Sequence, residues 1–174
     1  WSGSYLLSWL MATGLARLAE EVGPDAVIFP NLYGQPLFDL RFRNSLWSKL
    51  NATDQIHRNV WTDFEEHEYC EPSALQTPNL PNVFLALVTA SRGTDLANKV
   101  NAAIRDEWEK EIAGKVLTFC TPLFTLDDSA VASDAAARFS DQVKRHLDVA
   151  WQLTTFPDTP QALLELADKH LPKQ

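Results

Sequence analysis

Apolar residues recur at three- and four-residue steps through the opening stretch, at Leu7, Leu10, Met11, Leu15, Leu18 and Val22. That spacing puts them on one face of a helix from about Ser4 to Val22, entered through the small residues Ser2, Gly3 and Ser4. Gly23-Pro24 ends it, since Pro cannot continue a helix and Gly tolerates a left-handed cap. Val27-Ile28-Phe29 is then a short strand closed by Pro30. The run from Asn82 to Val88 is a second strand, expected to be buried on both faces. Between them, Leu32 to Leu80 is too long for a hairpin, and such stretches inside a domain are usually functional or partly mobile. It is expected to be an inserted subdomain with short helices around Asn44–Leu50 and Val60–Glu68.

Past the second strand, Ser91 or Thr94 caps a helix to about Ala113, with Leu96, Val100, Ile104, Trp108 and Ile112 spaced by four and Gly114 as its stop. Leu117 to Pro122 fits either a strand or a loop. Ser133-Asp134 starts another helix with Phe139, Val143 and Leu147 inward. Trp151 to Phe156 alternates and suits an edge or final strand. Thr159-Pro160 is a cap followed by Pro at the first helical position, with Leu163, Leu164, Ala167 and Leu171 facing a core.

The order is helix, strand, insertion, strand, helix, helical insertion, strand, helix. One further strand upstream would make it β-α-β-β-α-β, the ferredoxin-like split βαβ. The expected class is therefore α+β: a ferredoxin-like, palm or nucleotidyl-cyclase-like domain lacking its first strand. It has a long insertion between two central strands and extra C-terminal helices. Residues 1–32 hold the first helix and strand, 33–80 the insertion, and 81–174 the remainder with its helical insertion and C-terminal helix. A start inside a helix, without Met, suggests a piece of a larger protein.

Composition narrows the function. A chain of 174 residues with 45% hydrophobic residues can bury a core. A net charge of −8 argues against a surface devoted to phosphate backbones. Arg41 and Arg43 are the one close basic pair outside predicted helices, and such pairs are usually solvated. With only two cysteines, Cys70 and Cys120, in no spacing motif, a cytoplasmic location is expected. Arg17, Glu20 and Glu21 close the first apolar run too early for a membrane span.

Several residues invite a chemical role beside a structural one. The first helix offers free N–H groups and a positive dipole end suited to a triphosphate, with Gly3 permitting close approach; on residue chemistry alone the commoner role of Ser2 or Ser4 is simply a helix cap. Gly34-Gln35-Pro36 has the composition of a tight turn. Asp127-Asp128 is an acidic doublet in a loop, where solvated acids are the ordinary case. His67 and Cys70, with His57 and Cys120, have partial zinc-like spacing but no complete ligand set. Glu65, Glu66 and Glu68 suit a solvated helix face. Of the six tryptophans, Trp9, Trp108 and Trp151 fall in predicted core elements; Trp47 and Trp61 lie in the insertion and suit a partner surface or a small satellite core.

Four segments in order carry a family resemblance: Trp-Ser-Gly-Ser-Tyr-Leu-Leu-Ser-Trp from Trp1, Gly23-Pro24-Asp25 leading to Ile28-Phe29-Pro30, Tyr33-Gly34-Gln35-Pro36-Leu37, and Leu80-Pro81-Asn82 leading into Phe84-Leu85-Ala86-Leu87-Val88. Over roughly its first half, the chain resembles the large subunit of type III-B (Cmr) CRISPR effector complexes. The resemblance implies a first palm domain, with an HD nuclease-like domain ahead of it when present. A zinc region and a second palm bearing a GGDD metal motif would follow; none of those motifs is in this sequence. It implies ATP as substrate, Mg held by the second palm outside this chain, and Ser4 facing the adenine with Ser2 and Gly3 beside it. The implied partners are the second palm, other Cmr subunits, and CRISPR RNA and target RNA through the complex, with no membrane. The product would be cyclic oligoadenylate, made in antiviral defence, and the isolated chain would be catalytically silent. Two rivals stand beside this reading: a domain that only docks subunits, and a stand-alone metal enzyme centred on His57, His67 and Cys70.

Overall fold

The computed structural model describes residues 2–49, 77–121, 129–157, 159–162 and 164–165. Helices dominate. Helix α1 (Ser2–Val22) leads through a 3-10 turn (Pro24–Ala26) into strand β1 (Val27–Phe29), and helix α2 (Pro36–Lys49) follows. Strand β2 (Leu85–Ala86) comes next, then a 3-10 turn (Ala90–Arg92) and helix α3 (Gly93–Asp106). A π-helical stretch (Glu107–Ala113) joins α3 to helix α4 (Gly114–Cys120), and helix α5 (Ser129–His146) comes later. Among the described residues β1 and β2 form the sheet, an antiparallel pair with Val27 opposite Ala86. That is an α+β arrangement in the coarse sense.

Helix α1 is the centre of the molecule. Its apolar spacing predicts one inward face, whereas the helix is buried on two. Ala12, Leu15, Ala16 and Ala19 pack with Leu37 and Phe38 of α2 and with Leu32 and Leu80. Leu10 and Leu18 pack with Leu96, Val100 and Ile104 of α3. Alanines supply the first face, so a reading built on large side chains misses it. Leu15, Leu37 and Leu96 are fully buried, and each such side chain stabilises the fold by roughly 1.5–3 kcal/mol. Gly14 keeps α1 and α3 close: a Cβ there would lie 2.7 Å from Ile104 Cδ1 and 3.3 Å from Val100 Cγ1.

The ends of α1 follow the sequence. Gly23, at φ 89, donates its N–H to Ala19 O at 2.9 Å, and Pro24 opens the next turn. Gly34 (φ 70) and the Gln35 N–H to Leu32 O bond (3.2 Å) make the turn before α2, with Pro36 at its first position. Helix α2 begins well before the Asn44 start expected for it. The expected helix at 60–68 lies outside the described residues.

Downstream, several expectations need correction. Val83, Leu85 and Leu87 are exposed while Phe84, Ala86 and Val88 turn inward, so the second strand is half-buried. Its unbroken apolar run hides an alternation in which the outer face is also apolar. Gly114 stands in helical geometry (φ −61, ψ −41) and the helix runs on to Cys120; one Gly costs a helix only about 1 kcal/mol. Residues 117–120, expected as strand or loop, are therefore helical, and the Thr118 and Thr121 hydroxyls donate back to Gly114 O and Leu117 O. A strict four-residue spacing drifts by about 40° per step on an α-helix. The π-helical turn, which is wider, returns Trp108 and Ile112 to the face that packs on Leu10 and Leu18. Helix α5 starts at Ser129, ahead of the expected Ser133. Residues 151–156 form no strand, and Trp151, Leu153 and Phe156 are exposed. Thr159 does cap the last helix, accepting from the Ala162 N–H at 3.2 Å, but Leu164 faces outward.

Two polar clusters tie α1 to α3 and to the π-helical stretch that follows it. Glu107 is 9% exposed; its Oε1 accepts from Trp9 Nε1 at 2.7 Å and its Oε2 from Arg41 Nη2 at 2.6 Å. The Arg41 guanidinium lies 4.9 Å from the Trp9 ring centroid, so Arg41 is not the solvated residue expected from its position. At the other end Glu21 meets Arg17 (2.7 Å), Arg92 (2.9 Å) and Lys99 (3.2 Å). The hydrogen bond from Lys99 holds the Glu21 carboxyl below its usual range, with Arg17 and Arg92 adding to it. Asp95 and then Glu21 raise Lys99 in return.

Three outcomes follow for chemical denaturation. Gly14→Leu overpacks the α1–α3 contact and lowers stability by about 1–3 kcal/mol. Glu107→Ala strands Arg41 and the Trp9 N–H and costs about 2–4 kcal/mol, with Glu107→Gln costing less because it can still accept from Trp9. Glu21 has a lowered folded pKa, so its contribution is present above the ordinary carboxylate value and fades as pH falls through the folded one. Glu21→Gln therefore weakens the loss of stability on acidification below about pH 5.

Candidate functional site

The α1 amino end is exposed. Gly3 and Ser4 face solvent, and a Cβ at Gly3 would meet nothing within 4 Å. The first turn of α1 carries no acidic residue, so no side-chain carboxylate of its own offsets the partial positive charge of the free N–H groups. Ser4 and Leu7 are three residues apart and share a helix face. Leu7, 46% exposed, lines an apolar groove of about 490 Å³ together with Leu10 and Met11. The first turn thus stands at one end of that groove. Gly3 and Ser4 do not themselves line it.

The groove is floored by α1 and by Leu96 and Val100 of α3. It is walled by β2 on one side and by residues 147–153 on the other. Leu147 and Val149 pack inward on the α3 side of the core. The sequence signals for this groove are the run through 83–88, expected to be buried on both faces, and the apolar positions from Trp151, expected to form an edge or final strand.

A second cleft, of about 440 Å³, lies between α1, α2 and the π-helical stretch; Thr13, Arg17, Arg41, Glu107 and Lys110 line it. Each of its basic side chains already carries an acidic partner: Arg17 with Glu20 and Glu21, Arg41 with Glu107, Lys110 with Asp106. Such a cleft is internally neutralised and has little pull on a phosphate. Trp9, Arg41 and Glu107 form a constellation that sequence reasoning missed, because Glu107 lies 98 residues from Trp9 and 66 from Arg41.

The other candidates separate. Gly34-Gln35-Pro36 is the turn into α2. Trp108 donates to Val143 O at 2.8 Å and stacks on His146, a packing role. Trp151 is exposed, against the expectation of a core position. His57, Trp61, Glu65, Glu66, His67, Glu68, Cys70, Asp127 and Asp128 lie outside the described residues, and so does the side chain of Trp47. Among the described residues no group of three or more His, Cys, Asp or Glu is placed to hold a metal. No helix among them is long and apolar enough to cross a membrane.

Comparison with known proteins bears on the same region. The family described as CRISPR-associated protein Cmr2, N-terminal, matches residues 1–113. Over 106 residues the chain is 30% identical to the CRISPR system Cmr subunit Cmr2 of Pyrococcus furiosus, covering 61% of this chain and 9% of that protein. The chain therefore spans only a small part of this curated relative's length. No solved structure matches it. The match takes in α1, β1, α2, β2 and α3 and contains all four segments that carry the resemblance: the chain belongs to the Cmr2 N-terminal family, as part of a type III-B CRISPR effector large subunit.

Proposed function

We propose that this chain is a first palm domain whose α1 amino end helps bind ATP at an interface with a second palm of the same parent protein. The observation that carries this reading is the open first turn of α1, with no acid in it, Gly3 facing free space and Ser4 exposed. Backbone N–H groups there would hold phosphate oxygens, the helix dipole would favour their charge, and Ser4 would meet the adenine. Mg²⁺ on the second palm would supply the charge neutralisation that nucleotidyl transfer to cyclic oligoadenylate requires. This chain's contribution is position and base recognition, within a complex that also takes CRISPR RNA, target RNA and other Cmr subunits.

One observation favours a second reading, a domain that only docks its neighbours. Ile28, Val83, Leu85 and Leu87 leave the outer side of the sheet apolar and exposed, a surface suited to another subunit or domain.

Ser4→Trp and Gly3→Val, made in the assembled complex, separate the two. Neither position is packed, so assembly and RNA binding should stay at the unmodified level. ATP affinity and cyclic oligoadenylate yield should fall at least about tenfold, roughly 1.4 kcal/mol of binding. Unchanged affinity and yield in both variants would leave the docking reading in its place.

A further inference from the structure

The amino third of α1 has few buried anchors. Of residues 3–9, Ser8 alone is buried: Gly3, Ser4 and Leu7 are exposed, and Tyr5, Leu6 and Trp9 are partly covered. Leu10 is the first large apolar side chain of the helix to be buried. On the sheet side, Leu7 lines the open groove. Placement of the first two turns therefore falls to two neighbouring residues, Ser8 and Trp9. The Ser8 hydroxyl donates to Leu80 O at 2.9 Å and ties the helix to the chain that leads into β2. Trp9 donates its Nε1–H to Glu107 Oε1 at 2.7 Å.

Glu107 has the surroundings of a fixed post. It opens the π-helical stretch, and its other oxygen accepts from Arg41 Nη2 of α2 at 2.6 Å. The Arg41 guanidinium in turn lies 4.9 Å from the Trp9 ring centroid. The indole is held at its N–H edge by the carboxylate and over its ring by the guanidinium, and those two hold each other. At 9% exposure, the carboxylate has little access to water as a substitute for these donors.

Ser8 and Trp9 lie about 100° apart around the helix, so the two contacts together resist rotation of α1 as well as sliding. Ser4 is five residues before Trp9, about 7.5 Å along the axis. A helix carries a rotation undiminished over such a span. Turning α1 by about 20° moves an atom about 5 Å from the axis through about 2 Å. Misplacing a binding group by about 1 Å can cost about 100-fold.

We propose that Glu107 is a positioning residue for the nucleotide site at the α1 amino end: through Trp9 it sets where the first-turn N–H groups and Ser4 stand. This rests on the nucleotide reading for its ligand and deepens it, adding a residue of the π-helical stretch to a site otherwise confined to α1. Glu107 touches no nucleotide itself. It holds the indole, and Arg41 holds it.

Trp9→Phe is the informative change, since it keeps an aromatic ring for the core and for Arg41 and removes the N–H that Glu107 receives. Glu107→Leu removes the acceptor, and Glu107→Gln keeps one. Two measurements are made on the parent polypeptide assembled in its complex. One is amide hydrogen exchange at residues 6–9, with 15–21 as the folding control. The other is the half-saturating ATP concentration. In Trp9→Phe and Glu107→Leu, exchange at 6–9 should quicken at least about tenfold while 15–21 hold. Half-saturating ATP should rise at least about tenfold in both. Glu107→Gln should stay within about threefold of the unmodified complex on either measure. A merely structural loss lowers the yield at saturating ATP and leaves the half-saturating concentration where it was. Unchanged exchange in Trp9→Phe overturns the proposal whether or not Glu107→Leu assembles. Faster exchange with unchanged half-saturating ATP overturns it too, and Ser4→Trp then shows which premise failed. A raised value in Ser4→Trp keeps the nucleotide site and removes Glu107 from it; an unchanged value removes the nucleotide reading itself.

Discussion

Burial of α1 on two sides is the constraint from which the rest of the structure follows. A helix clasped between α2 and α3 needs small side chains where the neighbours approach most closely. Ala12, Ala16 and Ala19 provide them toward α2, and Gly14 toward Ile104. Close approach leaves little room for error in register. The polar contacts at either end, Trp9 and Arg41 on Glu107 and the basic cluster around Glu21, fix the register that packing alone would leave loose. The buried carboxylate of Glu107 offsets its desolvation only because both oxygens are engaged by donors, one of them cationic.

The same clasp decides which surfaces are left over. With α2 and α3 on its flanks, α1 presents Leu7, Leu10 and Met11 to the sheet side, where β2 and residues 147–153 stand apart. The apolar groove is what these walls and a helical floor leave between them. The open amino end of α1 adjoins it. Helix terminus and groove therefore share one edge of the molecule.

The chain belongs to the Cmr2 N-terminal family and spans 9% of the Pyrococcus furiosus relative's length. The exposed apolar residues on the outer side of the β1–β2 pair contrast with the ion-paired outer faces of α3 and α5. The second cleft, with its charges already paired, looks inward to stability and not outward to a ligand.

Local chemistry was legible in the sequence: α1 and its Gly23-Pro24 stop, β1 and its Pro30 stop, the Gly34 turn, the Leu96–Val100–Ile104 face and the Thr159 cap each depend on residues within a turn of one another. The four family segments were legible for the same reason, being contiguous. Tertiary structure alone decided the rest. Alanines carry no strong hydrophobic signal, so the second buried face of α1 emerged only when α2 was set against it. Gly114 and residues 117–120 stayed helical because one glycine's intrinsic cost is small against a helix already under way on its amino side. The alternation at 83–88 was masked because both faces are apolar, and burial depends on what lies across from them. Arg41 and Glu107, far apart in the chain, gain their meaning from a distance in space that no local pattern encodes.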